Sequence, residues 1–270
     1  MNIRYSLLPY TYTLFHKAHS YGETVLRSLA WEFPDDASLA AVETQFMSGP
    51  SILVTPVLAP LATTVKGVFP GVAQGTKWYD WYTLQQVQVA AGENKTLDAP
   101  LLHQPIHIRG GSVIPIQKAG NTTKTSRQMP WSLIVALDKN NAAEGDLFLD
   151  DGIHLVQNAT KDIHVSALPF YPLASVLTSL LQFTYANSTL TADIKGHFND
   201  NLPLANVTIA GATKAPKSVS VSIGGKMRDS SCVESTFDSG VLYLTELANA
   251  TQGGVWDGQG KKQVQIKLNY

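Results

Sequence analysis

The sequence predicts a mainly β chain, with about 50 residues of α/β character followed by two antiparallel β-sandwich-like modules. Three observations predict it. The first 47 residues alternate helix, strand and helix signals. At Ile52 the pattern changes to short apolar runs broken by Gly, Pro, Asn and Asp. Those runs then recur at the spacing of an antiparallel sandwich, which leaves no room for parallel crossovers.

Taken in order, Ile3, Leu7, Leu8, Leu14, Phe15 and Ala18 repeat at helical spacing, so residues 3–21 are a predicted helix, kinked at Pro9 and stopped by Gly22. Residues 25–33 read as a short strand. Pro34-Asp35-Asp36 then supplies a turn and cap for a helix over 38–47. Strands are predicted at 52–58, 65–69, 77–82, 106–108, 113–117, 132–137 and 145–149. A polar stretch over 118–126 reads as a second boundary. Beyond it, strands are predicted around Val165 and at 179–185, 189–195, 205–209, 218–223, 241–245 and 264–268. Asp150-Asp151-Gly152 and Gly224-Gly225 are the predicted hairpin turns, because glycine supplies positive φ without a steric penalty. Fifty α/β residues cannot bury both faces of a parallel sheet, so the N-terminal segment calls for more βα units.

Composition excludes several classes. Twenty basic and 21 acidic residues, with no basic cluster, argue against a nucleic-acid partner. The longest apolar runs fall far short of the ~20 residues that a bilayer helix needs, which argues against a membrane partner. Six of the twelve asparagines sit in Asn-X-Ser/Thr sequons: Asn94, Asn121, Asn158, Asn187, Asn206 and Asn249. That density predicts a secreted or extracellular glycoprotein, vacuolar or lysosomal ones included. Met1 runs straight into a helical pattern with no basic and apolar leader before it. The sequence therefore reads as the back end of a longer precursor. Cys232 is the single cysteine, either a buried thiol or a partner for another chain.

Several motifs resemble one family. Ile3-Arg4-Tyr5-Ser6-Leu7-Leu8-Pro9-Tyr10 is followed by Glu32-Phe33-Pro34 and Val54-Thr55-Pro56-Val57-Leu58. Lys77-Trp78-Tyr79-Asp80-Trp81-Tyr82, Ile108-Arg109-Gly110-Gly111-Ser112-Val113-Ile114-Pro115 and Leu147-Phe148-Leu149-Asp150-Asp151-Gly152 come next, in order. Together they resemble the C-terminal third of glycoside hydrolase family 31, nearest to secreted fungal α-glucosidases and to lysosomal and intestinal maltases. The match loosens after about residue 160.

The resemblance implies residues 1–50 as the end of a (β/α)8 barrel, 51–120 as a proximal sandwich and 121–270 as a distal one. It implies a retaining α-glucosidase acting on terminal α-linked glucose of malto-oligosaccharides or starch-like glucans. Such enzymes use two carboxyls ~5 Å apart, one a nucleophile and one a general acid. Both belong upstream of this chain, so the resemblance places no catalytic residue here and gives the chain a bracing role beside its N-terminal part. It implies no cofactor. The alternative is a non-catalytic carbohydrate-binding or structural module.

Individual residues carry competing readings. Asp35 and Asp36 adjoin at a strand end, but neighbours in extended chain point apart, which favours a helix cap over an acid/base pair. Asp150-Asp151-Gly152 offers too few oxygens for calcium, which favours a turn. His16 and His19 share a helical face with Glu23 nearby, but lack a third histidine, so no metal site is assigned. Trp78, Tyr79, Trp81 and Tyr82 are either a sugar-stacking platform or aromatic packing at a core and an inter-module seam. Arg109 either contacts a substrate hydroxyl or pairs with a nearby acid at a tight turn.

Overall fold

The computed structural model describes residues 1–152, 178–252, 254–256 and 263–270. The predicted N-terminal helix is two helices, α1 (Asn2–Ser6) and α2 (Leu8–Tyr21), divided at Leu7 with Pro9 in the first turn of α2. Proline is tolerated there because that turn has no N–H partner to lose. Gly22 ends α2 in the left-handed conformation, φ 73°.

The next two elements depart from expectation. Only Leu26–Arg27 (β1) of the predicted 25–33 strand is extended. Ser28 then caps a one-turn helix, α3 (Leu29–Glu32), its side chain accepting from the Trp31 N–H. The predicted 38–47 helix is a single 3-10 turn, Ala37–Leu39. Asp36 caps it through Oδ1, 3.1 Å from the Ser38 N–H, and Phe46–Ser48 (β2) follows. Buried Gln45 explains the switch to strand. Its amide bonds Thr55 Oγ1 at 2.9 Å and the Val68 N–H at 2.8 Å, fixing the chain in an extended path.

The remaining strands are β3 (Ile52–Val54), β4 (Thr64–Gly67), β5 (Trp78–Asp80), β6 (Lys95–Asp98), β7 (Ile106–Arg109), β8 (Ser112–Gln117), β9 (Trp131–Ala136), β10 (Ala143–Leu149), β11 (Ser179–Ala186), β12 (Thr189–Gly196), β13 (Leu204–Ala210), β14 (Ser218–Ile223), β15 (Lys226–Arg228), β16 (Glu234–Asp238), β17 (Val241–Thr245) and β18 (Gln263–Asn269). Single-turn helices α4 (Thr123–Ser126) and α5 (Leu247–Ala250) sit between strands. The strand expected near Val165 lies outside the described residues, as does the sequon at Asn158.

A five-stranded antiparallel sheet, β1-β2-β3-β7-β5, packs beside an eleven-stranded sheet, β15-β14-β18-β12-β11-β10-β8-β9-β13-β17-β16. The large sheet curls around one core, which joins Phe183, Leu181 and Val264 from one half to Leu133, Val207 and Leu244 from the other. Only Glu144 and Ser112 pair across the β10–β8 junction, where the two halves meet. That contact and β13–β9 are parallel, against the all-antiparallel expectation. The 118–126 stretch read as a boundary connects β8 to β9, which pair from Ser112↔Ala136 to Gln117↔Trp131.

The modules stack in layers. On β8 and β9, Val113, Leu133 and Val135 face the inner core, while Ile114, Ile134 and Ala136 face a second core. That second core also holds Tyr10, Leu14, Ile52, Tyr79 and Ile108. Covered on both faces, these strands read as continuous apolar runs without alternation. Across the small sheet, Leu53, Met47 and Trp78 turn into a third core with Leu29, Phe69 and Leu97.

Two turn expectations separate here. Gly224-Gly225 is a two-residue hairpin between β14 and β15, with φ of 59° and 76°. Asp150-Asp151-Gly152 closes no tight hairpin, because Leu149 pairs with Ser179, leaving residues 150–178 between them. Cys232 is exposed, so the buried-thiol reading does not hold.

Candidate functional site

The seam between α2 and the two sheets gathers most of the polar side chains that the motifs single out. Thr13 Oγ1 donates to the Pro9 carbonyl and accepts from the Phe148 N–H, both at 2.9 Å, tying the helix to β10. His16 stacks face to face on the Phe148 ring, centroids 3.8 Å apart and planes within 4°. Burial, with a smaller push from His19, lowers the His16 pKa, so the ring is held neutral. Glu23 accepts from Arg27 at 3.2 Å. Lys17 pairs with Asp146.

Asp150 belongs to the same seam. Buried, it accepts from the Tyr12 hydroxyl at 2.6 Å, and its backbone carbonyl accepts from Arg127 Nη2 at 2.5 Å. Burial, and then the bond to this carboxylate, push the Tyr12 phenol well above its usual range. Asp150 is thus an anchor for α2. Tyr10 does the same on the small-sheet side, donating to the Ser48 carbonyl at 2.8 Å and accepting from the Ser51 N–H at 3.3 Å.

Arg109 pairs with an acid 77 residues away in sequence. Its Nη1 donates to Glu32 Oε1 at 2.8 Å, while Arg27 Nη1 donates to Glu32 Oε2 at 2.7 Å. The guanidinium also lies 4.6 Å from the Phe33 ring centroid. One carboxylate thus holds two arginines, and the pairing reading of Arg109 describes its environment. A cavity of about 330 Å³ adjoins it, lined among others by Tyr10, Lys17, Arg109, Ser112, Glu144 and Asp146.

The aromatic run does not form one platform. Trp78 is buried in the third core, with its Nε1–H donating to the Pro70 carbonyl at 2.9 Å, and offers no face to a sugar. Tyr79 is buried in the second core, with its hydroxyl donating to the Leu137 carbonyl at 2.7 Å. Trp81 is half-buried against that core. Tyr82 is exposed and stacks on His103, centroids 4.0 Å apart. Asp35 is exposed and Asp36 is engaged as a cap, so these two make no acid/base pair.

Reasoning from sequence missed His107. It is buried on β7 with Nδ1 unpartnered among the described residues, edge-on to Phe69 at 4.8 Å. Burial pulls its pKa down to about 4, so the ring is held neutral. A histidine in the run Ile106-His107-Ile108 carries no local sign of this, because the Phe69 contact crosses the fold.

Residues 22–114 match the Glycosyl hydrolase family 31 C-terminal domain. An Aspergillus niger α-glucosidase is 47% identical over 256 residues, covering 95% of this chain and 24% of the relative. The chain belongs to glycoside hydrolase family 31. A Schizosaccharomyces pombe α-glucosidase is 43% identical and Schwanniomyces occidentalis glucoamylase 1 is 42% identical, each over 95% of this chain and 24% of the relative. The family 31 chain described here thus spans about a quarter of the length of the curated relatives it matches.

Among solved structures, a Tris-bound glucosidase II α subunit superposes with a TM-score of 0.77 at 24% identity, over 99% of this chain and 28% of that one. A Flavobacterium johnsoniae family 31 dextranase complexed with glucose gives 0.67 at 19% identity, over 99% and 32%. At these identities the likeness is one of fold: the end of the barrel followed by β-sandwiches. No described helix is long and apolar enough to cross a membrane.

Proposed function

We propose that this chain is the C-terminal, bracing part of a retaining α-glucosidase that removes terminal α-linked glucose from malto-oligosaccharides or starch-like glucans. The nucleophile and general acid lie in an upstream barrel portion of the same enzyme, and this chain carries neither. One observation carries the bracing reading: the N-terminal segment has two apolar sides. Tyr10 and Leu14 are buried against the sheets, whereas Phe15, Leu26 and Trp31 are 57%, 63% and 66% exposed. A segment bolted to the sandwich on one side, with bare aromatics on the other, fits an adaptor whose outer side a barrel covers.

The test is turnover of maltose and p-nitrophenyl α-glucoside by the purified chain. None is expected from the chain alone, and activity is expected once the upstream portion is joined to it. Turnover by the chain alone would overturn the reading.

The second reading is a glucan-binding module using Trp81 and Tyr82, favoured by the exposed Tyr82 ring. Retention on a glucan column, lost in Trp81→Ala, would establish it; absence of retention leaves the bracing role. The division into 1–50, 51–120 and 121–270 and the secretory route belong to the same proposal. The exposed sequons Asn94, Asn121, Asn187 and Asn249 are its sugar sites, with Asn158 and Asn206 as further candidates.

A further inference from the structure

The geometry points to Asn206 as an N-glycosylation site whose first sugar seats on the ring of Tyr243. The inference rests on the secretory route proposed above and deepens it at one position.

Asn206 lies on β13, between β9 and β17. Val207 and Ile209 point into the inner core, so strand alternation turns Asn206 and Thr208 to the opposite face. There the first cross-strand row runs Thr236, Tyr243, Thr208 and Ile134, from the β16 edge inward. Ile134 is covered by the second core, whereas Thr236 is exposed and Tyr243 is 36% exposed. Asn206 therefore stands where the covered part of this face gives way to an open, polar part bearing one aromatic ring.

Its amide is available at modest cost. Nδ2 makes one long bond, 3.4 Å to Ser132 Oγ. Thr208 pairs directly with Tyr243, which makes Asn206 and Tyr243 diagonal neighbours at about 7 Å, a span one sugar ring bridges. An apolar sugar face over an aromatic ring is a favourable contact.

The chemistry is a group transfer from a polyprenyl-diphosphate oligosaccharide. A bond forms between Asn206 Nδ2 and C1 of the reducing-end sugar, and the C1–O bond to the diphosphate breaks. The polyprenyl diphosphate departs with that electron pair, and one amide proton goes to a base. Because β13 is hydrogen-bonded on both edges, transfer at Asn-Val-Thr precedes its entry into the sheet. The Asn187 sequon differs, sitting in an exposed two-residue turn between β11 and β12 with φ of 48° and 61°.

The test uses the full chain secreted from a eukaryotic host, digested with peptide N-glycosidase in ¹⁸O water and mapped by mass spectrometry. Digestion after denaturation is expected to mark Asn206 as isotope-labelled Asp. Native digestion is expected to release the Asn206 sugar more slowly than in Tyr243→Ser, by roughly two- to tenfold, while Tyr243→Phe keeps the protection. Asn206 bare while Asn187 is marked would overturn this inference alone. A marked Asn206 whose release rate is the same in all three chains would overturn the seating. No mark at any sequon would overturn it together with the secretory route.

Discussion

Replacing Glu32 with alanine removes the one carboxylate shared by Arg27 and Arg109. The Glu32 and Arg27 side chains are each 12% exposed and that of Arg109 is 29% exposed, which places the cluster between surface pairs and fully buried ones. Surface pairs contribute up to ~1 kcal/mol, whereas breaking a buried pair costs ~3–5 kcal/mol. Arg27 retains Glu23 and the Thr24 carbonyl, and Arg109 retains the Phe33 ring, which lowers the cost. A loss of about 2–3 kcal/mol follows, or about 4–5 °C in Tm for a chain of this size. Scanning calorimetry of Glu32→Ala beside Glu23→Ala reads it. The Glu23 variant breaks only an exposed i,i+4 pair and is expected to shift Tm by less than about 2 °C. Equal shifts in the two variants would refute the clamp. So would an unshifted Glu32→Ala alongside an Arg109→Ala that loses glucan retention.

Three further outcomes are expected. His107, with its pKa lowered to about 4, binds its proton less readily folded than unfolded, so the stability it contributes is present above about pH 6.5 and lost as pH falls towards 4. The full span is about 3 kcal/mol, with His16 adding in the same direction. Denaturant titrations at pH 7 and pH 4 should show it, and His107→Gln should flatten it. Gly49→Ala demands a side chain at φ +58° and puts its Cβ 2.6 Å from Leu14 Cδ2, costing about 2–4 kcal/mol in the same titration. Tyr12→Phe strips buried Asp150 of its hydroxyl donor and should cost about 1–2 kcal/mol, read as a lower Tm.

Legibility in the sequence followed how many neighbours decided each element. In β11, Leu181, Phe183 and Tyr185 face the core while Gln182, Thr184 and Ala186 face water, and that alternation is plain in the letters. Residues 38–47 carry a helical signal, but Gln45 is held by Thr55 and Val68, contacts that no local window contains. Trp78 and Tyr79 read either as part of a sugar-stacking platform or as aromatic packing at a core and an inter-module seam, and no local window chooses between the two. In the fold, β5 separates two cores and both rings are buried. The partner of Arg109 was legible as an acid but not as Glu32, since nothing near Arg109 in sequence points to α3. The motifs that carry the family resemblance lie within the first 152 residues, where the cores stack and both faces of several strands are constrained.

The role proposed for this chain is to brace an α-glucosidase without performing its chemistry. The most direct measurement is p-nitrophenol release from p-nitrophenyl α-glucoside by the purified chain, beside the same chain joined to its upstream barrel. No release above buffer is expected from the chain alone, and steady release is expected from the joined protein. Release by the chain alone, surviving repurification, would contradict it.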